Sequence, residues 1–349
     1  MAMQGQREGQ PGEAAERERI TLALTGDVML GRLVAPILET EGTQFPWGDV
    51  LPLLAGADLT LINLECVIAR GGRPWARWPK AFHFRAGLAA LDALQAAGVD
   101  FVSLANNHVL DFEEEALLEM LGHLDARGIA HAGAGRDAAE AERPALLEAK
   151  GIRVGVLAFT DNEPGWAATP TTPGINYLPV SLEEAHFGRV RRAVRGMRAQ
   201  GADVVVFSNH WGPNMRLRPT DEFRRFARAV MDEGVDVYLG HSAHVLQGIE
   251  VYQGRPIFYD AGDFVDDYAV DPYLRNDLSA LILLTAGRRG VEKIELVPVA
   301  IDFCQVNQAA GADFAFVAER LRWLSAELGT TVARADARLE VGLSRRAAA

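Results

Sequence analysis

The chain has 349 residues, 49% of them hydrophobic, enough apolar material for one large core or two modest ones, and it reads as globular. Its 35 basic residues are outnumbered by 47 acidic ones, a formal charge of −12, which leaves no global electrostatic footprint for nucleic acid or an anionic membrane surface. The two cysteines, Cys66 and Cys304, stand far apart and outside any Cys-x-x-Cys spacing, so they indicate neither a thiolate zinc site nor a disulfide framework.

Residues 1–19 are polar and charged, with no apolar stretch of the signal-peptide kind, and read as a disordered leader. No later apolar run approaches the ~18 residues of a membrane span. A cytoplasmic protein without a membrane anchor is expected. The first ordered element, Ile20–Thr25, is a short strand ending in Gly26-Asp27, which places a carboxylate on a sharp turn at the strand's C-terminal edge. Asp27 is therefore a metal-ligand candidate; the other reading is that it caps a following helix.

Asp58–Cys66 repeats the pattern, with alternation placing Asn63 and Glu65 on one face. A carboxylate beside so apolar a run demands a cation or a dense set of donors. Arg70–Arg85, rich in Gly, Pro, Trp and positive charge, reads as a loop: a solvated surface segment or an anion-binding one, with Lys80 and Arg85 the residues to test. Leu88–Ala97 is an amphipathic helix closed by Gly98.

The strand Val99–Leu104 runs into Asn106-Asn107-His108, with Asp111 close behind. Asn107 offers a metal a carbonyl oxygen; His108 is placed as a proton donor with Asp111 holding its tautomer, unless the segment is only a turn that bonds its own backbone. Glu113–Arg127 is a helix with a core stripe ended by Gly128, and His123 and His131 are left outside the site. A hairpin is expected around Lys150-Gly151, then a long loop over 161–179 of the kind that frames a substrate. Ser181 with Glu184 reads as a capping box for a helix through Ala199, whose arginines form a solvated face.

The buried strand Ala202–Phe207 ends in Ser208-Asn209-His210-Trp211, and Thr220 caps the next helix. Val235–Leu239 then arrives at a turn carrying His241 and His244, two imidazoles of the kind that most often bind divalent transition metals. A hairpin follows around Gln253-Gly254-Arg255, with Asp260–Phe264 turning out of the sheet. A strand pair about Gly287–Gly290 and a helix near Asp313–Leu328 complete one domain over 20–330, and 331–349 is expected to be a tail.

Asp27, Glu65, Asn107, His210, His241 and His244 make an N/O ligand set suited to two divalent ions, with Mn, Fe and Zn all acceptable. Arg32, Asn63, Lys80, Asn106 and Trp211 are the residues expected at an anionic small-molecule or polymer substrate.

Between about Ile20 and Ile301, the segments GDVMLGR, NLEC, FHFRAGLAALDALQAAGVDFVSLANNHVLDF, AHAGAG, NHWG, GHSAHVLQGIE and YDAGDFV occur in order. They resemble the successive motifs of CapA-like poly-γ-glutamate capsule synthesis proteins, within the calcineurin-like metallophosphoesterase superfamily. The resemblance implies an α/β chain folded as a four-layer α/β/β/α sandwich with two mixed sheets and a dinuclear metal site at one sheet edge. It gives Asp27 the place of the first-strand aspartate and Glu65 the bridging place. Asn107 and His108 take the Asn-His pair, His210 the isolated histidine, and His241 with His244 the closing pair. Met29 stands where the superfamily commonly has a histidine, implying one less completely coordinated metal, and Asp263 stands where such proteins often have Asn. The implied activity is metal-dependent hydrolysis of a phosphoester or γ-glutamyl-type amide. The alternative is a non-catalytic, metal-containing binding or assembly partner for an acidic polymer, which needs ligands but no proton donor such as His108 oriented by Asp111.

Overall fold

β-Branched and leucine-rich runs that stop at glycine, asparagine or aspartate build two mixed sheets in a computed structural model, which describes residues 18–343. The expected leader falls almost wholly on residues 1–17, which lie outside the described residues, as do 344–349. In the larger sheet β1 (Arg19–Val28), β2 (Leu59–Leu64), β3 (Val99–Ser103) and the short strand Ala130–Ala132 run parallel. Leu278–Gly287 and Gly290–Asp302 extend the sheet in antiparallel fashion on the other side of β1. In the smaller sheet β4 (Ile152–Thr160), β5 (Val204–His210), β6 (Val237–His241) and Arg255–Phe258 are parallel, flanked by antiparallel Ala145–Ala149 and Ile249–Tyr252.

Side-chain alternation sorts each strand between two cores. Ile20, Leu22 and Leu24 of β1 share one buried cluster with Val154 and Val156 of β4 and Val204 and Val206 of β5, so residues of both sheets meet there. Leu64 and Val102 belong to a second cluster with Leu91 and Leu94 of the helix Ala89–Ala96 and Leu117, Met120 and Leu121 of the helix Glu113–Arg127. Val205 and Phe207 face a third, with Phe187 and Val190 of the helix Glu184–Ala199 and Phe226 and Val230 of the helix Asp221–Asp232. Each such side chain contributes about 1.5–3 kcal/mol by leaving water, which holds the parallel strand ends in place.

Several local expectations are met and others are corrected. Gly128 closes its helix at φ 67°, and the Thr220 hydroxyl accepts the Phe223 amide at 3.4 Å. Ser181 makes no capping box: the helix begins at Glu184 behind Glu183, whose amide the Ser181 hydroxyl accepts at 3.2 Å. Asp27 caps no helix, because it lies inside β1 and the next helix starts at Val34. Asp260–Phe264 does not leave the sheet entirely. Asp263–Val265 forms β7, parallel to β1, with Asp27 opposite Asp263. The expected tail from 331 is partly inside the fold: Val332–Ala335 and Arg338–Val341 form a hairpin on Gly290–Asp302 and bury Val332, Leu339 and Val341.

Candidate metal centre

Parallel strands end on the same edge, so the C-terminal ends of β1, β2, β5 and β6 converge, and the first residue of β7, Asp263, joins them. Asp27 is opposite both Asn63 and Asp263 in register, and His210 is opposite His241. The turn after β6 adds His244 through a strained backbone, with Ser242 at φ 102° and His244 at φ 59°. One ligand atom from each of Asp27, Glu65, His244 and Asp263 lies within 4.8 Å of the others, a spacing that can hold a metal ion.

The remaining imidazoles surround the same two carboxylates. His210 Nδ1 is 3.7 Å from Asp27 Oδ1 while its Nε2 is 3.7 Å from Glu65 Oε1. His241 Nδ1 approaches Asp27 Oδ1 at 3.6 Å, and His244 Nδ1 lies 3.4 Å from Asp27 Oδ2 and 2.8 Å from Asp263 Oδ1. Glu65 Oε1, Asn107 Oδ1, His210 Nε2, His241 Nδ1 and Asp263 Oδ2 are buried and have no hydrogen-bond partner. Four of these, on Glu65, His210, His241 and Asp263, surround Asp27 and fit a cation, since leaving them dry and unpaired is costly, while Asn107 lines the cavity beside His244.

The electrostatics match that reading. Burial, with the Asp27 charge beside it, pushes the Glu65 carboxyl well above its ordinary range, and burial with Asp266 nearby does the same to Asp263. Burial also opposes ionisation of Asp27, but His210, His244 and His241 outweigh it and hold its carboxyl low. Burial works against a charged His244, yet Asp263 and Glu65 raise its pKa. His241, buried with less compensation from Asp27, falls to about 4.

Behind the ligands, Asn63 Nδ2 donates to Asp27 Oδ1 at 2.7 Å, and Asn106 Nδ2 donates to Asn63 Oδ1 at 3.2 Å and to the Leu64 carbonyl at 2.8 Å. The two amides, expected at the substrate, are instead fully buried supports that orient the carboxylate. His108 Nδ1 is 2.6 Å from Asp111 Oδ2 and its Nε2 is 3.8 Å from Glu65 Oε1. Burial works against a charged His108 and raises Asp111 to about 7, against the pull of Lys80.

Lys80 does not reach the cleft. Its side chain is 7% exposed, and Nζ lies 3.4 Å from Asp111 Oδ1, 3.6 Å from Glu163 Oε1 and 5.0 Å from the centre of the Trp166 ring. Trp211 also misses the cleft: its ring packs between Phe223 and Tyr238, and Nε1 donates to the Tyr259 carbonyl at 3.0 Å. Arg32 does line the cavity of about 400 Å³ over the ligands, together with Asn107, His108, His244, Phe84 and Tyr268.

Asp263 and Tyr268, whose hydroxyl donates to Glu65 Oε2 at 3.1 Å, were absent from the sequence-derived site. Gly262-Asp263 repeats the Gly26-Asp27 pair after an apolar strand, a signal that pointed to Asp263; no local pattern marks Tyr268.

Residues 21–268 match the family described as "Bacterial capsule synthesis protein PGA_cap". Over 293 residues, 83% of this chain and 70% of the other, the sequence is 29% identical to the capsule biosynthesis protein CapA of Bacillus anthracis. Identity is 29% to the PGA biosynthesis protein CapA of Bacillus subtilis, over 81% of this chain and 72% of that one. It is 30% to a protein of Mycobacterium tuberculosis named "Probable polyglutamine synthesis accessory protein", over 95% of this chain and 90% of that one.

Proposed function

This chain belongs to the bacterial capsule synthesis protein PGA_cap family, and from that premise we propose that it is a dinuclear-metal-dependent hydrolase of an anionic polymer or its fragments, cleaving a phosphoester or a γ-glutamyl-type amide. The observation that carries the reading is the His108–Asp111 dyad at 2.6 Å, with His108 lining the cavity beside the orphaned ligand atoms. A binding cleft has no use for a buried proton-transfer pair.

In this reading Asp27, Glu65, His244 and Asp263 would hold one ion, and Asn107, His210 and His241 would supply further ligands for a second. Mn, Fe or Zn suits such N/O ligands. When bound, the ions polarise a phosphoryl or acyl oxygen and lower the pKa of a water molecule. Asp111 holds His108 Nδ1, leaving Nε2 to exchange a proton with the leaving group. Asn63 and Asn106 keep Asp27 oriented, and Phe84, stacked on His108 at 3.9 Å between ring centroids, shields the dyad from water. The cluster that joins residues of both sheets, with helices packed on the outer clusters, supports a four-layer α/β/β/α arrangement. No helix among the described residues is long and apolar enough to cross a membrane.

The test is metal content per protomer after purification without added metal, together with hydrolysis of an aryl phosphodiester, an aryl phosphomonoester and a γ-glutamyl anilide in the presence of Mn. Near two metals, with turnover of one probe abolished by His108→Ala, is the expected result. Metal without turnover of any probe favours the non-catalytic binding partner, and no metal even after reconstitution overturns both.

A further inference from the structure

We propose that Arg32, Phe82 and Phe84 form a carboxylate-binding subsite beside the metal-ligand cluster, so that the substrate is an acid whose carboxylate is held and not cleaved while its hydrocarbon portion lies on the two rings. The inference rests on the hydrolase reading only for where the scissile group sits.

Arg32 is held from behind. Its Nε lies 3.2 Å from Asp267 Oδ2, and the same oxygen accepts the Leu33 amide at 3.0 Å. The Asp267 side chain is 2% exposed and that of Arg32 is 37% exposed, so the pair is buried on its carboxylate side and open on its guanidinium side. Among the described residues no hydrogen bond reaches either Nη of Arg32. Two parallel N–H groups in a fixed fork match the two oxygens of a carboxylate.

The walls indicate what accompanies that carboxylate. The guanidinium carbon lies 5.8 Å from the Phe82 ring centre and 5.7 Å from that of Phe84. Phe82 is 60% exposed, a large hydrophobe left facing solvent beside a cation. Phe84 also stacks on His108, so one ring links the Arg32 fork to the proton-transfer dyad. Arg32 keeps this position with φ at 48°, a left-handed conformation rare outside glycine and concentrated at ligand clamps.

Among the side chains at Arg32, as distinct from the metal-ligand cluster, charge favours a carboxylate over a phosphate. Asp267 already balances Arg32, Lys80 is turned to Asp111 and Glu163, and His244 is turned to Asp27 and Asp263. The rest of the cavity's polar lining is the amides of Asn107, Asn214 and Asn276, the Tyr268 hydroxyl and the His108 ring already paired with Asp111. A phosphate dianion recruits several cations; one balanced guanidinium suits a planar monoanion.

The test is calorimetric binding of glutaranilic acid, which carries a carboxylate, a short hydrocarbon chain and an anilide, against its methyl ester, with metal content measured on the same preparations. The acid should bind the full chain about tenfold to a hundredfold more tightly than the ester. Arg32→Met should abolish that preference and Arg32→Lys should restore only part of it, with metal content unchanged in both. Because Arg32→Met strands the buried Asp267 carboxylate, the double variant Arg32→Met/Asp267→Asn repeats the measurement without that penalty. Equal binding of acid and ester, a preference that survives in Arg32→Met, or no binding of the acid at millimolar concentration overturns the subsite. Inorganic phosphate binding through Arg32 more tightly than the acid overturns its carboxylate assignment. A chain that binds the acid through Arg32 yet hydrolyses nothing keeps the subsite and loses the hydrolase reading; turnover without an acid preference does the reverse.

Discussion

Gly26 and Gly262 touch through their backbones: a Cβ on Gly26 would sit 1.8 Å from the Gly262 carbonyl oxygen, which itself accepts the Asp27 amide at 2.9 Å. Only a residue without a side chain lets β1 and β7 come this close, and that approach sets Asp27 opposite Asp263. The candidate metal-ligand cluster therefore depends on a contact between residues more than two hundred positions apart.

Gly26→Ala should separate the two strands, because neither partner in the clash is a flexible side chain. We expect a protein that melts lower and binds less metal, read from a thermal melt and elemental analysis. Gly122→Ala, in a helix where an added Cβ meets nothing within 4 Å, should leave metal content unchanged and stabilise by about 0.5–1 kcal/mol.

Asp263→Asn keeps the shape of the side chain and removes its charge. Metal affinity should fall by at least about tenfold, since a neutral amide is a weaker ligand for a divalent ion than a carboxylate. Asp27→Ala and His241→Ala should also lower bound metal; full occupancy in all three variants would contradict the site as drawn.

His108→Ala should retain metal and lower turnover by roughly two to four decades, the range for losing a positioned proton donor. Asp111→Asn leaves the ring in place with its tautomer unanchored, so a smaller loss is expected. Unchanged turnover in His108→Ala removes that residue from the mechanism.

Asp58 ties the sheets together away from the metal cluster: its carboxylate accepts the Thr21 amide at 2.9 Å and lies 2.7 Å from Lys150 Nζ in the turn before β4. Burial raises its pKa, but Lys150 and the Thr21 amide bring it below its ordinary value. A depressed carboxyl contributes stability that is fully present above its unfolded pKa of about 3.9 and is lost as pH falls through the folded value. Asp58→Asn should lower the melting temperature at pH 7 by about 1–3 °C, as an exposed pair allows, and the difference should shrink as pH falls below the unfolded pKa and vanish once it is below the folded one. A difference that persists in acid would mean the charge is not its source.

Local pattern was enough for most of the elements and for the ligand types. Alternation in Ile20–Thr25 and Val99–Leu104 and the stops at Gly26, Asn106, Ser208 and Gly240 are properties of a few consecutive residues, and strands that end in parallel bring such stops to one edge. Asp27, Glu65, Asn107, His108, Asp111, His210, His241 and His244 were all named on that basis; the side chains of Asp27, Glu65, His210, His241 and His244 lie within about 4 Å of one another in pairs, and His108 pairs with Asp111.

What the tertiary structure alone decided is which polar groups meet each other and which meet solvent. Lys80 and Trp211 carry the side chains of substrate contacts, yet one is spent on Asp111 and Glu163 and the other on the Tyr259 carbonyl. Asp263 joins the cluster because β7 pairs with β1, and residues 332–341 become sheet because an open strand edge at Gly290–Asp302 accepts them. Pairings such as these span tens to hundreds of residues and are selected by close packing and by the cost of a buried unpaired group, neither of which leaves a periodic trace in the chain.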